Sequence, residues 1–90
     1  MLKWDKEILT KYLKTNVVKS SHILDVGCGR GENLDLLKYL GYSNYIGTDI
    51  SDDMLNICRE KKHQVLKPNE LQYRFDVILM SHVIEHIESQ

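Results

Sequence analysis

The segment Gly-Cys-Gly-Arg-Gly at residues 27–31 constrains the fold of this chain more than any other part of the sequence. It follows a short apolar run at residues 22–26, whose length and β-branched residues indicate a buried strand. It precedes a run of leucines at near-helical spacing, which Gly41 ends. Because glycine permits tight turns and close approach of the backbone to a ligand, this strand–loop–helix unit predicts a ligand site beyond the carboxyl end of a strand.

Strand and helix patterns alternate along the whole chain. Apolar residues recur at helical intervals from Trp4, which predicts an amphipathic helix over residues 4–18. Further strands are predicted at residues 45–48, 64–66 and 75–80, with a helix after the second strand and another over residues 83–87. This alternation predicts βαβ units, a parallel sheet and therefore an α/β fold in a single domain over residues 1–90.

Composition narrows the class of protein. A net charge of -1 gives no sign of a nucleic-acid-binding or membrane-surface protein. The two cysteines do not form a disulfide framework, and neither a signal peptide nor an apolar stretch of membrane-spanning length is present. We therefore expect a cytoplasmic protein. The first twenty residues are locally basic, which indicates either a solvated helix face or a docking surface for an acidic partner.

The spacing of the glycines separates classes of ligand. A dinucleotide-binding loop requires G-x-G-x-x-G, but here the third glycine comes one residue early and Glu32 occupies its place. A carboxylate at the start of the helix would repel a pyrophosphate. The lysine of a phosphate-binding P-loop is also missing. The loop therefore favours a cationic or neutral ligand over a phosphate.

Three motifs resemble those of class I S-adenosylmethionine-dependent methyltransferases. Residues 23–31 resemble the first motif of that family, residues 45–51 resemble its second-strand motif, and residues 75–87 resemble its fourth-strand motif in the small-molecule subgroup. The resemblance implies a Rossmann-like parallel sheet with flanking helices and about four strands in the order 3-2-1-4. It also implies S-adenosylmethionine as cofactor and methyl transfer to a small-molecule O, N or C nucleophile.

The resemblance also assigns site residues. Glycines of the loop would lie against the methionine part of the cofactor, Asp25 near its ammonium, and Asp49 on both ribose hydroxyls. The alternative for Asp49 is a cap on the following helix. Ile50 and Met54 would pack on the adenine. The implied cofactor-binding residues are Asp25, Gly27, Cys28, Gly29, Gly31, Asp49, Ile50, Met54 and Ser81, with the Cys28 side chain itself interpreted as structural.

Two features depart from the family pattern or compete with it. Many relatives carry an acidic residue after the third strand, where this chain has Lys67, so Asn69 or a backbone group would contact the adenine instead. The stretch from His82 to His86 matches the metal-binding pattern H-x-x-E-H, but too little chain follows for a further ligand, and no metal is predicted. His82 is instead a candidate general base, and His22 and His63 are interpreted as structural or exposed.

The length of the chain leads to expectations about how much of the family's sheet it carries. Family members have a larger sheet, so we expect a partial domain that lacks the acceptor site. Such a domain is a truncation, a natural remnant or half of a two-chain assembly, and truncation is favoured. The strand at residues 75–80 would then have a bare edge, which favours a homodimer or strand exchange. The alternative to an enzyme is a non-catalytic module that binds the cofactor or a partner.

Overall fold

The computed structural model of the protein describes residues 2–3, 5–72, 74–80 and 83–86. Its strands are β1 (Leu2–Lys3), β2 (Ile23–Val26), β3 (Tyr45–Thr48), β4 (Val65–Leu66), β5 (Val77–Met80) and β6 (Val83–His86). Its helices are α1 (Lys6–Asn16), α2 (Glu32–Tyr39) and α3 (Asp52–Glu60), and a 3₁₀ turn covers Pro68–Glu70. The predicted alternation of strands and helices is confirmed from β2 to β4, and among the described residues only the 3₁₀ turn separates β4 from β5.

The strands form one sheet in the order β1-β6-β5-β2-β3-β4. Strands β4, β3, β2 and β5 run parallel and are the four predicted strands in the predicted order, third, second, first and fourth. At the centre, Asp25 of β2 pairs with Gly47 of β3 on one side and with Leu79 of β5 on the other. Because parallel strands end at the same edge, the segments after β2, β3 and β4 meet there, which is where such sheets bind ligands.

Strand β6 corrects the end of the prediction. A helix is expected over residues 83–87, but residues 83–86 form a strand antiparallel to β5, with Ile84 opposite Leu79. The open edge of β5 offers unpaired N–H and C=O groups, and the β-branched residues Val83 and Ile84 suit a strand. Pairing with that edge therefore outweighs the helical pattern. Ile87 lies outside the described residues.

The predicted bare edge on the strand at residues 75–80 is wrong for the same reason. The chain's own β6 covers the edge of β5, and β1 pairs in turn with the far side of β6. Strand exchange between two copies would therefore have to replace β6 at the edge of β5, and it stays a prediction. The homodimer stays a prediction that no contact in the structure tests.

Helix α1 is shorter at both ends than the predicted helix. It begins after Asp5, whose carboxylate accepts a hydrogen bond from the N–H of Ile8 at 2.9 Å. Leu9 and Leu13 are fully buried, whereas Ile8 is 46% exposed, so the core-facing stripe runs through the two leucines. The Tyr42 hydroxyl lies 2.9 Å from the carbonyl oxygen of Leu13, and this hydrogen bond joins the end of α1 to the segment between α2 and β3.

Helices α2 and α3 end in the same way, with a residue in the left-handed region. Gly41 (φ 95°) follows α2, as its position in the sequence predicts, and the N–H of Tyr42 donates to the carbonyl of Leu37. After α3 the corresponding residue is Lys62 (φ 72°), and the N–H of His63 donates to the carbonyl of Cys58. In the part of the chain that the structure describes, no helix has the length and apolar character needed to cross a membrane.

Candidate cofactor site

The glycine loop turns directly after β2 and is tied to the end of β3. The N–H groups of Gly27 and Cys28 both donate to the carbonyl oxygen of Thr48, at 2.9 and 3.0 Å. Gly27, Gly29 and Gly31 have φ values of 73°, 54° and 88°, a region that side chains disfavour. The sequence needs glycine at these positions because the backbone adopts the left-handed conformation at each of them.

The glycines face different surroundings. A Cβ atom added to Gly29 would meet no atom of the described residues within 4 Å, so the backbone there faces open space. A Cβ atom on Gly31 would instead lie 3.1 Å from the Cys58 sulfur, inside the protein. Gly31 also begins α2 as its N-cap residue. A ligand can therefore approach the loop at Gly29, whereas the bare Cα of Gly31 is required by packing against α3.

The Asp49 carboxylate fixes the shape of the loop. It follows β3 directly, and its Oδ2 accepts a hydrogen bond from the N–H of Gly29 at 2.9 Å. Its Oδ1 accepts from the N–H of Ser51, also at 2.9 Å. The cap of α3 is Ser51, whose hydroxyl accepts from the N–H of Met54. Asp49 is thus not the helix cap, and because each carboxylate oxygen has two lone pairs, it retains capacity to accept from a ligand.

Asp25 places a buried carboxyl group with an unused oxygen at the same edge of the sheet. The residue is 1% exposed, and its Oδ1 accepts a hydrogen bond from the Asn33 side chain at 3.3 Å. Its Oδ2 is buried and has no hydrogen-bond partner among the described residues. Burial raises the pKa of Asp25 to about 7, the Asn33 hydrogen bond opposes this, and the charge of Asp49 adds to it. A buried oxygen without a partner suits a ligand that brings a donor or a positive charge.

The other predicted site residues fall into two groups. Ile50 and Met54 flank the start of α3, and Ile50 is 91% exposed, which leaves an apolar surface beside Asp49. Ser81 and His82 lie outside the described residues. Residues 83–86 form β6, so the helical spacing on which a shared metal between His82 and His86 depends is not present there.

Lys67, which stands where many relatives carry an acidic residue, makes contacts with two acidic side chains of this chain. Lys67 follows β4, and its ammonium forms an ion pair with the Asp52 carboxylate at 3.0 Å. Its N–H donates to the Glu70 carboxylate at 2.8 Å, and Asn69 is exposed within the 3₁₀ turn. No carboxylate occupies residue 67, so the adenine contact that many relatives make with an acid has no direct equivalent at this position.

Sequence reasoning missed Asn33 and Cys58. The Asn33 side chain donates a hydrogen bond to Asp25. Its position in the first turn of α2, just after the loop, is the sequence feature that could have indicated this contact. The Cys58 thiol donates to the Gly29 carbonyl at 3.2 Å from a helix 29 residues away, which no local pattern indicates. The interpretation of His63 as structural is confirmed, because it is buried with its imidazole 2.6 Å from the Asp35 carboxylate.

Comparisons with known proteins agree with this geometry. The sequence model of the family described as "Methyltransferase domain" matches residues 3–90. A tRNA (carboxymethyluridine(34)-5-O)-methyltransferase from Arabidopsis thaliana is 33% identical over 96 aligned positions, which cover 98% of this chain and 22% of that protein. The chain thus spans about a fifth of the length of that curated relative.

Two solved structures share the fold. A protein from work on the conversion of a disulfide bond into a thioacetal group during echinomycin biosynthesis aligns with a TM-score of 0.64 and 24% identity, over 90% of this chain and 39% of that one. The plantazolicin methyltransferase BpumL, in complex with SAH, aligns with a TM-score of 0.58 and 23% identity, over 81% of this chain and 32% of that one.

At these identities the two structures confirm the Rossmann-like fold, and the family is established by the match over nearly the whole sequence. The glycine loop, the acidic residue after β3 and the strand order are those that the resemblance to S-adenosylmethionine-dependent enzymes predicts. The chain belongs to the methyltransferase domain family.

Proposed function

We propose that this chain binds S-adenosylmethionine at the glycine loop and forms part of an enzyme that transfers its methyl group to a small-molecule nucleophile. The observation that carries the proposal is the buried Oδ2 of Asp25, for which the described residues offer no hydrogen-bond partner and which lies at the same edge of the sheet as the open backbone face of Gly29. The sulfonium supplies a reactive methyl group, so the work of the protein is to bind, orient and exclude water.

Asp25 supports the binding of a cation. Its carboxyl has a pKa of about 7 because burial disfavours the charged form. An ammonium group nearby would favour the carboxylate and satisfy the free oxygen at once. The start of α2 carries Glu32 in its first turn, which disfavours a phosphate there. Asp25 therefore fits the methionine end of the cofactor.

Asp49 and its neighbours support the binding of the nucleoside. The Asp49 carboxylate is half-buried and held from behind by the N–H groups of Gly29 and Ser51, so its orientation is fixed before a ligand arrives. Its remaining lone pairs can accept from two ribose hydroxyls. The exposed Ile50 side chain offers an apolar contact for the adenine ring.

The first test is calorimetric titration with S-adenosylmethionine and with its demethylated product. Saturable binding of both is expected, and Asp49→Ala should weaken it about 10- to 100-fold, since hydrogen bonds to a charged group contribute about 1.5–3 kcal/mol. The matched control is Asp53→Ala, which removes an exposed acid from the first turn of α3. No binding by a folded wild-type protein would refute the proposal and favour the non-catalytic interaction module.

A second pair of variants separates the site from the stability of the fold. Gly29→Ala and Gly41→Ala both place a side chain in the left-handed region, at a cost of about 1 kcal/mol each. The added methyl group at Gly29 would also fill the open space beside the loop, whereas Gly41 lies after α2. Both variants should unfold at lower temperature, but only Gly29→Ala should lose cofactor affinity. Equal affinities would remove Gly29 from the site.

The acceptor has two candidates. A small molecule follows from the subgroup that residues 75–87 resemble, with His82 as the proposed base. A tRNA nucleotide is favoured by the name of the curated relative and by a groove of about 960 Å³ between α1 and α2, whose lining includes three lysines (Lys6, Lys11 and Lys14) against two acidic residues (Glu7 and Asp35). Transfer of labelled methyl to small nucleophiles or to total tRNA distinguishes them, and transfer to tRNA alone would overturn the small-molecule proposal.

A further inference from the structure

Two thiols face each other directly behind the glycine loop. Cys28 belongs to the loop and Cys58 to the last part of α3, and their sulfur atoms lie 3.9 Å apart. Their exposed fractions are 7% and 0%. Both are free thiols. The fold thus brings the two cysteines of the sequence together although 30 residues separate them.

The surrounding backbone is shaped around this pair. A Cβ atom on Gly47 would lie 3.0 Å from the Cys28 sulfur, and one on Gly31 would lie 3.1 Å from the Cys58 sulfur. The Cys58 thiol also donates to the carbonyl oxygen of Gly29, in the same loop as Cys28. Glycines on two sides therefore make room for the sulfurs, and Cys58 contacts the loop through both its neighbour thiol and the loop backbone.

We propose that Cys28 and Cys58 are a site of reversible oxidation, at which a hydroperoxide converts them to a disulfide that disables the glycine loop. The inference rests on the proposed function only for its consequence, the loss of cofactor binding. The formation of the bond depends on the two thiols alone.

The chemistry balances with the peroxide as oxidant. The Cys28 thiolate attacks one peroxide oxygen, the O–O bond breaks, and Cys28 becomes a sulfenic acid while water or an alcohol leaves. The Cys58 sulfur then attacks the Cys28 sulfur and displaces the hydroxyl as a second water. Both sulfurs are oxidised, the peroxide is reduced, and the two thiol protons end in the released water or alcohol. Either sulfur can take the first step with the same products, and Cys28 is written first because it is the more exposed of the two.

The bond would deform the loop. A disulfide requires the sulfurs to approach to about 2.05 Å, so their separation of 3.9 Å must close by roughly 2 Å. Cys58 is anchored in a packed helix, and the movement therefore falls on Cys28. The N–H of Cys28 donates to the Thr48 carbonyl and the next N–H donates to Asp49, so any shift of the Cys28 backbone with its sulfur would strain both bonds. The same movement alters the face of Gly29 that the cofactor would contact.

Burial makes the reaction conditional on loop opening. It raises the pKa of both thiols, and for Cys28 the neighbouring thiol and the carboxylates of Asp25 and Asp49 add to the effect. The closed loop therefore holds little reactive thiolate. A ligand that binds the loop would keep it closed, so the cofactor should protect the pair from oxidation.

The experiment treats the purified, reduced chain with hydrogen peroxide. Intact mass spectrometry should show loss of two hydrogen atoms, both thiols should disappear together, and dithiothreitol should restore them. S-adenosylmethionine should slow the reaction. The oxidised protein should bind S-adenosylmethionine at least about tenfold more weakly, a change of about 1.4 kcal/mol, and reduction should restore the affinity. Cys58→Ser keeps a hydroxyl donor for the Gly29 carbonyl but should form no intramolecular bond.

The outcomes separate this inference from the function itself. If the thiols are oxidised only after the protein is unfolded in denaturant, or only to species that gain oxygen, the oxidation site is refuted. If the disulfide forms and affinity does not change, the link to the loop is refuted. If the reduced protein fails to bind S-adenosylmethionine, the proposed function fails, whereas the mass measurement still decides whether the disulfide forms.

Discussion

Replacing Asp25 by asparagine should make the protein more stable at neutral pH. The folded carboxyl has a pKa of about 7, against an ordinary value of 3.8, chiefly because it is 1% exposed. Between these two values the unfolded chain has lost the proton and the folded chain keeps it. The free energy of unfolding therefore falls as pH rises from about 4 to about 7 and is constant above.

The size of the effect follows from the shift. A pKa difference of this size corresponds to about 4 kcal/mol at pH 8. Asparagine has nearly the same shape and can still accept from Asn33, but it does not ionise. At pH 4 the buried groups are both neutral, and the variant differs from wild type only by the cost of its amide N–H groups at the place of Oδ2, about 1–3 kcal/mol. Between pH 4 and pH 8 the stability of the variant relative to wild type should rise by at most about 4 kcal/mol, which leaves the variant the more stable protein at pH 8.

Urea denaturation followed by circular dichroism, at fixed ionic strength from pH 4 to pH 8.5, measures this difference. Asp53→Asn is the control, because Asp53 is exposed in the first turn of α3 and should show no such gain at high pH. Parallel curves for wild type and Asp25→Asn would refute the argument, since they would mean that Asp25 titrates alike in both states. The same variant should bind S-adenosylmethionine more weakly, because the free carboxylate oxygen is gone.

Three further substitutions test the fold, each by the free energy of unfolding in urea. Tyr42→Phe should lose about 1 kcal/mol, because the hydroxyl that donates to the carbonyl oxygens of Val17 and Leu13, at 2.7 and 2.9 Å, is removed; an unchanged value would mean that these contacts contribute nothing to stability. Lys62→Gly should gain about 0.5–1 kcal/mol by relieving a left-handed residue, and a loss would contradict the geometry. Gly47→Ala should lose about 1–3 kcal/mol, because its Cβ would lie 2.7 Å from a methyl carbon of Leu34; unchanged stability would mean that Leu34 or α2 moves away at no cost.

The central parallel sheet was predictable because each of its strands carries its own local signal. A short apolar run stopped by glycine predicts β2, and the glycines that follow adopt the left-handed backbone that only glycine adopts without strain. The position of Asp49 after β3 was predictable in the same way, because an acidic residue ends an apolar run.

What the sequence did not predict depends on contacts between distant segments. The strand at β6 forms because β5 offers an open edge, which a pattern within residues 83–87 cannot reveal. The contact between Cys58 and Gly29 likewise arises only when α3 packs behind the loop. The raised pKa of Asp25 comes from burial between two neighbouring strands, and no spacing in the sequence indicates its size.

The position of β2 between β3 and β5 also bears on the order in which the chain folds. One neighbour of β2 comes next along the chain, but the other is reached only near residue 77, and the bond between His22 and Asp76 joins residues 54 apart. Closing so long a loop is slow, so the unit from β2 to β4 can form while one edge of β2 is still unpaired. During synthesis on the ribosome, that edge stays available to other chains until β5 emerges.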